Sequence, residues 1–399
     1  MFSSDELKKY ARTLWWGLAT ARTRPYRPGE LILLRFDQAA TPLAEAVYDL
    51  LITEGMVPVP RQNLTSGMEL SFYGKGSEAQ IATVPAGDRE LMQNLSGLIS
   101  LIAPASLTHL AGVDPGKIGL AAVSRKFLRE IMETREQTGE FGWTLCAYPT
   151  EEQARCAGLS LAEYAAQIKQ ACFLDTEDPA AKWREVHAEV TRVKKALGGL
   201  DIDRLRIESA SCDLTVTPGA HRRWLGVSGH NIPSFEVFLS PDWRGTEGVY
   251  HADQPSYRSG NRVAGVRLVF KAGRAVEVSA REGEEFVKKQ LAMDEGASRL
   301  GEFSLTDRRH SRIGAFMANT LFDENFGGAY GNCHVAVGAS YSDTYAGDQA
   351  SLDAAKKEAL GFNDSALHWD LVNTEDKTVT ALLKGGGSVV IYAGGEFTL

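Results

Sequence analysis

The sequence predicts a two-domain protein in which an α/β domain precedes a β-rich α+β domain. The chain has 399 residues, which is too long for one ordinary hydrophobic core. Its first half alternates apolar strand patterns with helix patterns, a rhythm typical of a parallel sheet covered by helices. Its second half is dominated by short alternating strands. We place the boundary near residue 200, so that the predicted domains are 1–200 and 201–399.

The elements of the first domain are predicted from apolar runs and from apolar residues at three- and four-residue spacing. A capping box of Ser3 and Glu6 opens the first helix. The strands are predicted at 31–37, 56–62, 98–106 and 143–150. The later helices are predicted at 41–55, 126–139, 160–174 and 178–200.

The second domain shows alternation of apolar and polar residues over short segments separated by glycines. A helix is predicted at 282–297, and a terminal hairpin at 378–397 with its turn at Gly385–Gly387. The short strands are predicted within 203–210, 212–219, 223–229 and 262–280.

Composition excludes several classes of protein. The net charge of −8 argues against a nucleic-acid-binding surface. No apolar run reaches the roughly 18 residues of a membrane span. The N-terminal residues mix acids and bases without an apolar core, so we expect no signal peptide and a cytoplasmic protein.

The cysteines are expected to be free thiols, because their number is odd and none form a C-x-x-C pair. They are Cys146, Cys156, Cys172, Cys212 and Cys333. Cys333 differs from the others in that it adjoins His334.

Glu236 lies in an apolar segment, "PSFEVFLSP", bounded by Pro233 and Pro241. If the segment is a strand, Glu236 shares one face with Phe238, because successive side chains point to opposite faces. Burying a carboxylate there is costly unless it is paired or binds a metal. The segment therefore raises the hypothesis of a metal ligand.

Further metal-capable side chains occur in similar surroundings in the second half. In "HWDLV", an extended chain places His368 and Asp370 on the same face. In "HVAVG", the small Ala336 and Gly338 share the face of His334 and leave room beside it. Carboxylate oxygen and imidazole nitrogen suit divalent cations. Taken singly, each residue is more simply explained by a core or surface role than by metal binding.

Taken together, the motifs resemble the thermophilic-type metallo-aminopeptidases, the aminopeptidase T and aminopeptidase S group. The resemblance covers most of 200–399. The motifs that carry it, in order, are "HNIPSFEVFLSP", "RLGEFSL", "NTLFDENF", "NCHVAVGASY" and "HWDLV".

The resemblance implies a catalytic metal-binding second domain with two divalent metal ions, either zinc, cobalt or manganese. The implied metal ligands are Glu236, Glu302, His334, His368 and Asp370. Glu302 is expected to bridge the ions, and Glu302 or Glu324 to move a proton. Tyr341 is expected to stabilise the tetrahedral intermediate.

The function that the resemblance implies is removal of the N-terminal residue from short peptides by a homodimer. The sequence leaves two alternatives open: a dimetal amidase or deacylase that acts on small molecules, and a non-catalytic binding protein braced by metal. One departure from the family pattern is an insertion, "FGGAYGN" at 326–332, between the D-E-N acid and His334. We expect it to overhang the metal site, although it could equally be a surface loop.

Overall fold

The structure is a computed structural model that describes residues 1–399, apart from the side chains of Pro115 and Ala350. The chain forms two compact units, and each is described by itself. The first comprises Met1–Trp183 and Ser228–Pro233, and the second comprises Arg184–Val227 and Ser234–Leu399. The chain thus leaves the first unit at Trp183, inside the helix predicted at 178–200, and briefly returns to it.

The element bounds are as follows. The helices are α1 (Ser4–Ala21), α2 (Thr41–Thr53), α3 (Ser66–Lys75), α4 (Glu78–Ala82), α5 (Asp88–Asn94), α6 (Pro115–Ser124), α7 (Lys126–Gln137), α8 (Glu151–Ala157), α9 (Leu161–Ala171), α10 (Pro179–Gly198), α11 (Glu284–Leu291), α12 (Thr320–Asp323) and α13 (Ala354–Leu360), with 3₁₀ turns at Gln38–Ala40, Ser342–Thr344 and Gln349–Ser351. The strands are β1 (Leu31–Phe36), β2 (Val57–Gln62), β3 (Leu95–Ile102), β4 (Gly142–Ala147), β5 (Ile202–Ser209), β6 (Asp213–Thr217), β7 (Asn231–Ile232), β8 (Glu236–Leu239), β9 (Asp242–Ala252), β10 (Ser256–Arg258), β11 (Asn261–Val263), β12 (Val266–Lys271), β13 (Arg274–Ser279), β14 (Leu300–Thr306), β15 (Asn332–Gly338), β16 (His368–Asn373), β17 (Lys377–Leu383), β18 (Ser388–Ala393) and β19 (Glu396–Phe397).

The first unit is built on a parallel sheet whose strand order, over the described residues, is β2-β1-β3-β4-β7. Strand β3 is buried along nearly its whole length, as expected for a parallel strand covered on both faces. Helix α1 opens with the predicted capping box and buries Tyr10, Leu14 and Leu18. The predicted α/β character of this region is therefore confirmed.

The second unit contains two antiparallel sheets and the small β10–β11 hairpin. The larger sheet has the strand order β13-β12-β9-β6-β5-β17-β18-β19, and the smaller one has the order β16-β15-β14-β8. Strands β17 and β18 form the predicted terminal hairpin. The turn is made by glycines, and Gly386 and Gly387 have φ values of +87° and +84°, which side chains resist.

The smaller sheet has one apolar and one polar face, because its side chains alternate along each strand. Its apolar residues, among them Val237, Phe303 and Val335, are fully buried. The buried hydroxyl of Tyr250, from the larger sheet, shares its one hydrogen between the carbonyls of Cys333 (3.0 Å) and Leu371 (2.7 Å). The opposite, polar face is consequently the one available for chemistry.

Some predicted elements differ from the observed ones. The strand predicted at 223–229 is absent from the described chain, since Val227 has a φ of +51° and only an isolated bridge joins Leu225 to Phe238. The strand predicted at 98–106 begins earlier and ends at Ile102, before Pro104, which has no N–H for a ladder. Helix α11 is shorter than predicted at both ends: it begins after Gly283, whose φ is +77°, and it ends at Leu291, six residues before the predicted end.

Two other expectations concern cysteines and membranes. Each cysteine is a free thiol, as predicted, and all except Cys156 are buried. Among the described helices, none has both the length and the apolar character needed to cross a membrane.

Candidate metal centre

The smaller sheet of the second unit brings the predicted ligands together on its polar face. Each of its strands supplies at least one of them. Glu236 begins β8, Glu302 lies in β14, His334 in β15, and His368 and Asp370 in β16. Residues that are distant in sequence therefore become neighbours through antiparallel pairing.

The strand register explains how the ligands converge. Ala336 of β15 lies between Glu302 on one neighbouring strand and Asp370 on the other. Its methyl side chain leaves the space above it open to both carboxylates. Gly338, the next residue on this face, lies opposite His368. Small residues thus form the floor over which the longer ligands meet.

Gly301 places Glu302 on the correct face. The pairing of β14 with β15 shifts between Leu300 and Glu302, so Gly301 is the extra residue of a bulge. A Cβ at this position would lie only 2.3 Å from the carbonyl oxygen of Ala339. Glycine is therefore required beside this carboxylate, because the backbones of the two strands approach too closely for a side chain.

The ligand atoms form two groups that share Glu302. In the first, His334 Nε2 lies 3.1 Å from Glu302 Oε1 and 3.5 Å from Glu236 Oε2. In the second, His368 Nε2 lies 3.6 Å from Glu302 Oε2 and 3.4 Å from Asp370 Oδ1. Each oxygen of Glu302 thus faces a different imidazole.

Backbone carbonyls orient both imidazoles. His334 Nδ1 lies 3.2 Å from the carbonyl oxygen of Glu324, and His368 Nδ1 lies 2.8 Å from that of Ala339. A carbonyl can only accept, so each Nδ1 carries a hydrogen, and each Nε2 faces the cluster, where it can bind a metal once it has lost its own proton. Such outer hydrogen bonds are typical of metal-binding histidines.

The charges of the ligands strongly perturb one another. Burial and the neighbouring Glu302 raise the pKa of Glu236 to about 7. Burial lowers the pKa of His334, but hydrogen bonding to Glu302 outweighs this and raises it to about 9. Burial raises the pKa of Asp370, but the charge of His368 outweighs this and lowers it to about 2. The cluster therefore retains protons when no cation compensates its carboxylates.

These observations fit a divalent metal centre. The cluster offers buried carboxylate oxygens and correctly oriented imidazole nitrogens, which together suit zinc, cobalt or manganese. Binding cations in place of protons would offset the repulsion that raises the pKa of Glu236.

Glu324 is a buried acid just beyond α12, next to the cluster. Burial and the negative charge of Glu236 raise its pKa well above the ordinary value. Its backbone carbonyl accepts the hydrogen bond from His334 described above. The sequence predicted a role for the Glu324 side chain but missed this role of its backbone.

Tyr341 lies over the second ligand group. Its ring centroid is 4.7 Å from that of His368 and 5.9 Å from that of Phe238. Desolvation and the charges of Glu302 and Asp370 raise the pKa of Tyr341. Tyr341 is 44% exposed and so borders solvent. The phenol remains protonated and can donate a hydrogen bond at the edge of the site.

The insertion at 326–332 is held at both ends. Near its start, Gly327 N donates a 2.8 Å hydrogen bond to the carbonyl of Ile313. Near its end, Tyr392 donates to the carbonyl of Tyr330, and Asn332 Nδ2 donates a 3.0 Å bond to the carbonyl of Glu324. These contacts support the His334 segment. The expected position of the loop above the metals stays a prediction.

Sequence reasoning also missed residues that contact the ligands. The hydroxyls of Ser234 and Ser304 lie 3.4 and 3.5 Å from the carboxylate of Glu236. Ser304 could have been found by alternation, since it follows Glu302 by two residues in β14. Arg258 Nη1 donates a 2.8 Å hydrogen bond to the carbonyl of His368, a contact that no sequence pattern indicates.

Comparisons with known proteins agree with the motif series. The family model described as thermophilic metalloprotease (M29) matches residues 3–397. Aminopeptidase T of Thermus aquaticus is 32% identical over 311 residues, which cover 73% of this chain and 74% of that protein. Aminopeptidase 2 of Geobacillus stearothermophilus is 27% identical, covering 98% of this chain and 97% of that protein.

A solved structure also has a fold similar to that of this chain. The solved structure of wild-type AmpT from Thermus thermophilus superposes with a TM-score of 0.78 at 22% identity, covering 98% of this chain and 100% of that one. At this identity the likeness supports the fold alone. The family match, which spans nearly the whole chain, and the relatives confirm the resemblance found in the motifs: the chain belongs to the thermophilic metalloprotease (M29) family.

Proposed function

We propose that this protein is an aminopeptidase that uses two divalent metal ions bridged by Glu302. The observation that carries the proposal is the division of the ligands into two groups that share this carboxylate. Its two oxygens face different imidazoles, at 3.1 and 3.6 Å. The names of the relatives, aminopeptidase T and aminopeptidase 2, support the choice of an N-terminal peptide bond as the substrate.

Two bound cations would activate a water molecule, polarise the scissile carbonyl and hold the free α-amine of the peptide. Glu236 and His334 would hold one cation, and His368 and Asp370 the other. Both oxygens of Glu302 are then engaged. Glu324 is therefore the better placed of the two candidate acids to carry a proton to the departing amine, since it is not a proposed ligand and lies buried beside the cluster.

The first prediction concerns the reaction itself. The protein is expected to release p-nitroaniline from leucine p-nitroanilide, and to lose this activity after chelation. Zinc, cobalt or manganese should restore it. The N-acetylated substrate should be inert, because it has no free amine for the site to hold. Equal turnover of the blocked substrate would favour an amidase or deacylase, and full activity without metal would contradict the mechanism.

The second prediction concerns metal stoichiometry. Elemental analysis of the wild type should give about two ions per chain. Glu236→Ala removes a ligand from one group, so it should retain about one ion. Glu302→Ala removes the shared ligand and should retain fewer than Glu236→Ala does. An equal loss of metal in the two variants would contradict the bridging role of Glu302.

The third prediction concerns Tyr341. Replacing it by phenylalanine removes only the hydroxyl that would stabilise the developing oxyanion. Loss of one such hydrogen bond typically lowers kcat by about 10²–10³-fold. Metal content should stay that of the wild type, since Tyr341 is not a proposed ligand. Tyr48→Phe, at a residue 41% exposed in α2 of the first unit, is the matched control and should keep full activity. Wild-type kcat in Tyr341→Phe would assign the tyrosine a structural role.

The fourth prediction concerns assembly. The family resemblance supports a homodimer, and a cytoplasmic location belongs to the same proposal. Light scattering at micromolar concentration should give about twice the chain mass of 43.4 kDa. A fully active species with the mass of a single chain would contradict it.

A further inference from the structure

Strand β16 lies at one edge of the smaller sheet and carries two of the proposed ligands, His368 and Asp370. Its inner side pairs with β15. The outer side of an edge strand presents backbone groups that no neighbouring strand bonds, and such a strand can open locally unless another segment covers it. The position of the two ligands therefore depends on what lies against the outer side of β16.

The segment 254–258, which includes β10, lies against this outer side. Gln254 N donates a 3.4 Å hydrogen bond to the carbonyl of Val372. Trp369 Nε1 donates a 3.0 Å hydrogen bond to Ser256 Oγ. The segment is thus attached to β16 by one backbone bond and one side-chain bond before its last residue is reached.

Arg258, the last residue of this segment, makes the attachment that lies nearest the ligands. Its Nη1 donates a 2.8 Å hydrogen bond to the carbonyl of His368, where β16 begins. Its Nε donates a 3.3 Å bond to Oε1 of Gln290 in α11, and its guanidinium carbon lies 5.5 Å from the centroid of the Trp369 ring. The planar guanidinium therefore joins β16 to α11 through two donors in a fixed geometry.

The charge of Arg258 acts on the same pair of ligands. Burial lowers the pKa of Arg258, and the negative charge of Asp370 opposes this shift. The guanidinium remains a cation at neutral pH. A cation beside a metal site repels the metal ion, so the charge alone would weaken metal binding. The hydrogen bond to the carbonyl of His368 has the opposite effect, because it holds the ligand strand in place.

We propose that Arg258 is a positioning residue for His368 and Asp370, and that it strengthens the binding of the metal ion that these two ligands hold. The positioning effect should exceed the repulsion, since Asp370 already offsets part of the positive charge of Arg258. The inference rests on the proposed two-metal function and adds to it a residue from outside the ligand set. In this role Arg258 contacts neither substrate nor metal and acts through β16.

The first test measures metal affinity rather than activity, by calorimetric titration of the metal-free, full-length protein with Zn²⁺. Arg258→Met removes the charge and both donors but keeps a long side chain. It should weaken the binding of one of the two ions by about 10–100-fold, the typical effect of losing a residue that supports a metal ligand. The affinity for the other ion should stay that of the wild type. Arg258→Lys keeps the charge and one donor group, so its affinity should lie between the two.

Combination with ligand variants identifies the affected ion. Glu236→Ala leaves the ion held by His368 and Asp370, and adding Arg258→Met should weaken that ion by the same factor of about 10–100. Asp370→Ala leaves the other ion, and adding Arg258→Met should change its affinity by less than about twofold. A loss of equal size in both backgrounds would indicate general destabilisation and would overturn the proposal.

The matched control is Arg274→Met. Arg274 is a partly exposed arginine of the same unit whose Nη1 donates a 3.1 Å hydrogen bond to the carbonyl of Glu295, and whose guanidinium carbon lies 5.7 Å from the centroid of the Trp243 ring. None of these residues is a proposed ligand, so both metal affinities should stay those of the wild type. Unchanged or tighter metal binding in Arg258→Met would contradict the positioning role.

A measurement without metal separates this proposal from the proposed function. In the metal-free protein, hydrogen–deuterium exchange over 368–373 should be faster in Arg258→Met than in the wild type, because β16 has lost an attachment on its outer side. Arg274→Met should exchange there at the wild-type rate. If no nitroanilide is hydrolysed, the aminopeptidase assignment fails, and the exchange rates still decide whether Arg258 holds the strand. Equal rates in Arg258→Met and the wild type would overturn the proposal.

Discussion

The repulsion among buried carboxylates on one sheet face is the constraint on which the second unit depends. Glu236, Glu302 and Asp370 lie together with two imidazoles, and burial together with the charge of Glu302 raises the pKa of Glu236 to about 7. Other parts of the structure serve to hold this arrangement. The small side chain of Ala336 leaves space for the carboxylates, and the bulge at Gly301 places Glu302 on the polar face. Backbone carbonyls orient the imidazoles of the two histidines. Burial of the apolar side chains on the opposite face stabilises the sheet, and this compensates for the free-energy cost of burying the polar side chains.

Much of this arrangement could be predicted from sequence because strands obey a strict alternation. The pairing of His368 with Asp370 on one face, and the room above Ala336, both follow from a period of two residues. The motif order then identified the family. The alternation of side chains along a strand does not predict which strands become neighbours in a sheet. That β8, β14, β15 and β16 form one sheet depends on packing over more than a hundred residues of intervening chain.

The features that the sequence did not predict also have physical causes. The return of β7 to the first unit depends on two residues that pair with Leu145 and Cys146, too few to leave a periodic signal. The strand predicted at 223–229 fails because Val227 adopts a left-handed conformation that its sequence does not indicate. The carbonyls of Glu324 and Ala339 are directed at the histidines by the backbone just beyond the ends of α12 and β15. Every residue has a carbonyl, so no pattern of side chains reveals which carbonyl orients a histidine.

The shared use of the Glu324 carbonyl has a consequence for how the chain tolerates change. His334 and Asn332 both donate to it, so the start of the strand that carries the histidine is attached to the end of α12 independently of residues 328–330. Residues 328–330 are exposed, while the flanking glycines are buried. Material can therefore be added or removed at the exposed tip while the imidazole keeps its position. The length of the loop between α12 and β15 can therefore vary, in evolution or by design, without moving the proposed metal ligands.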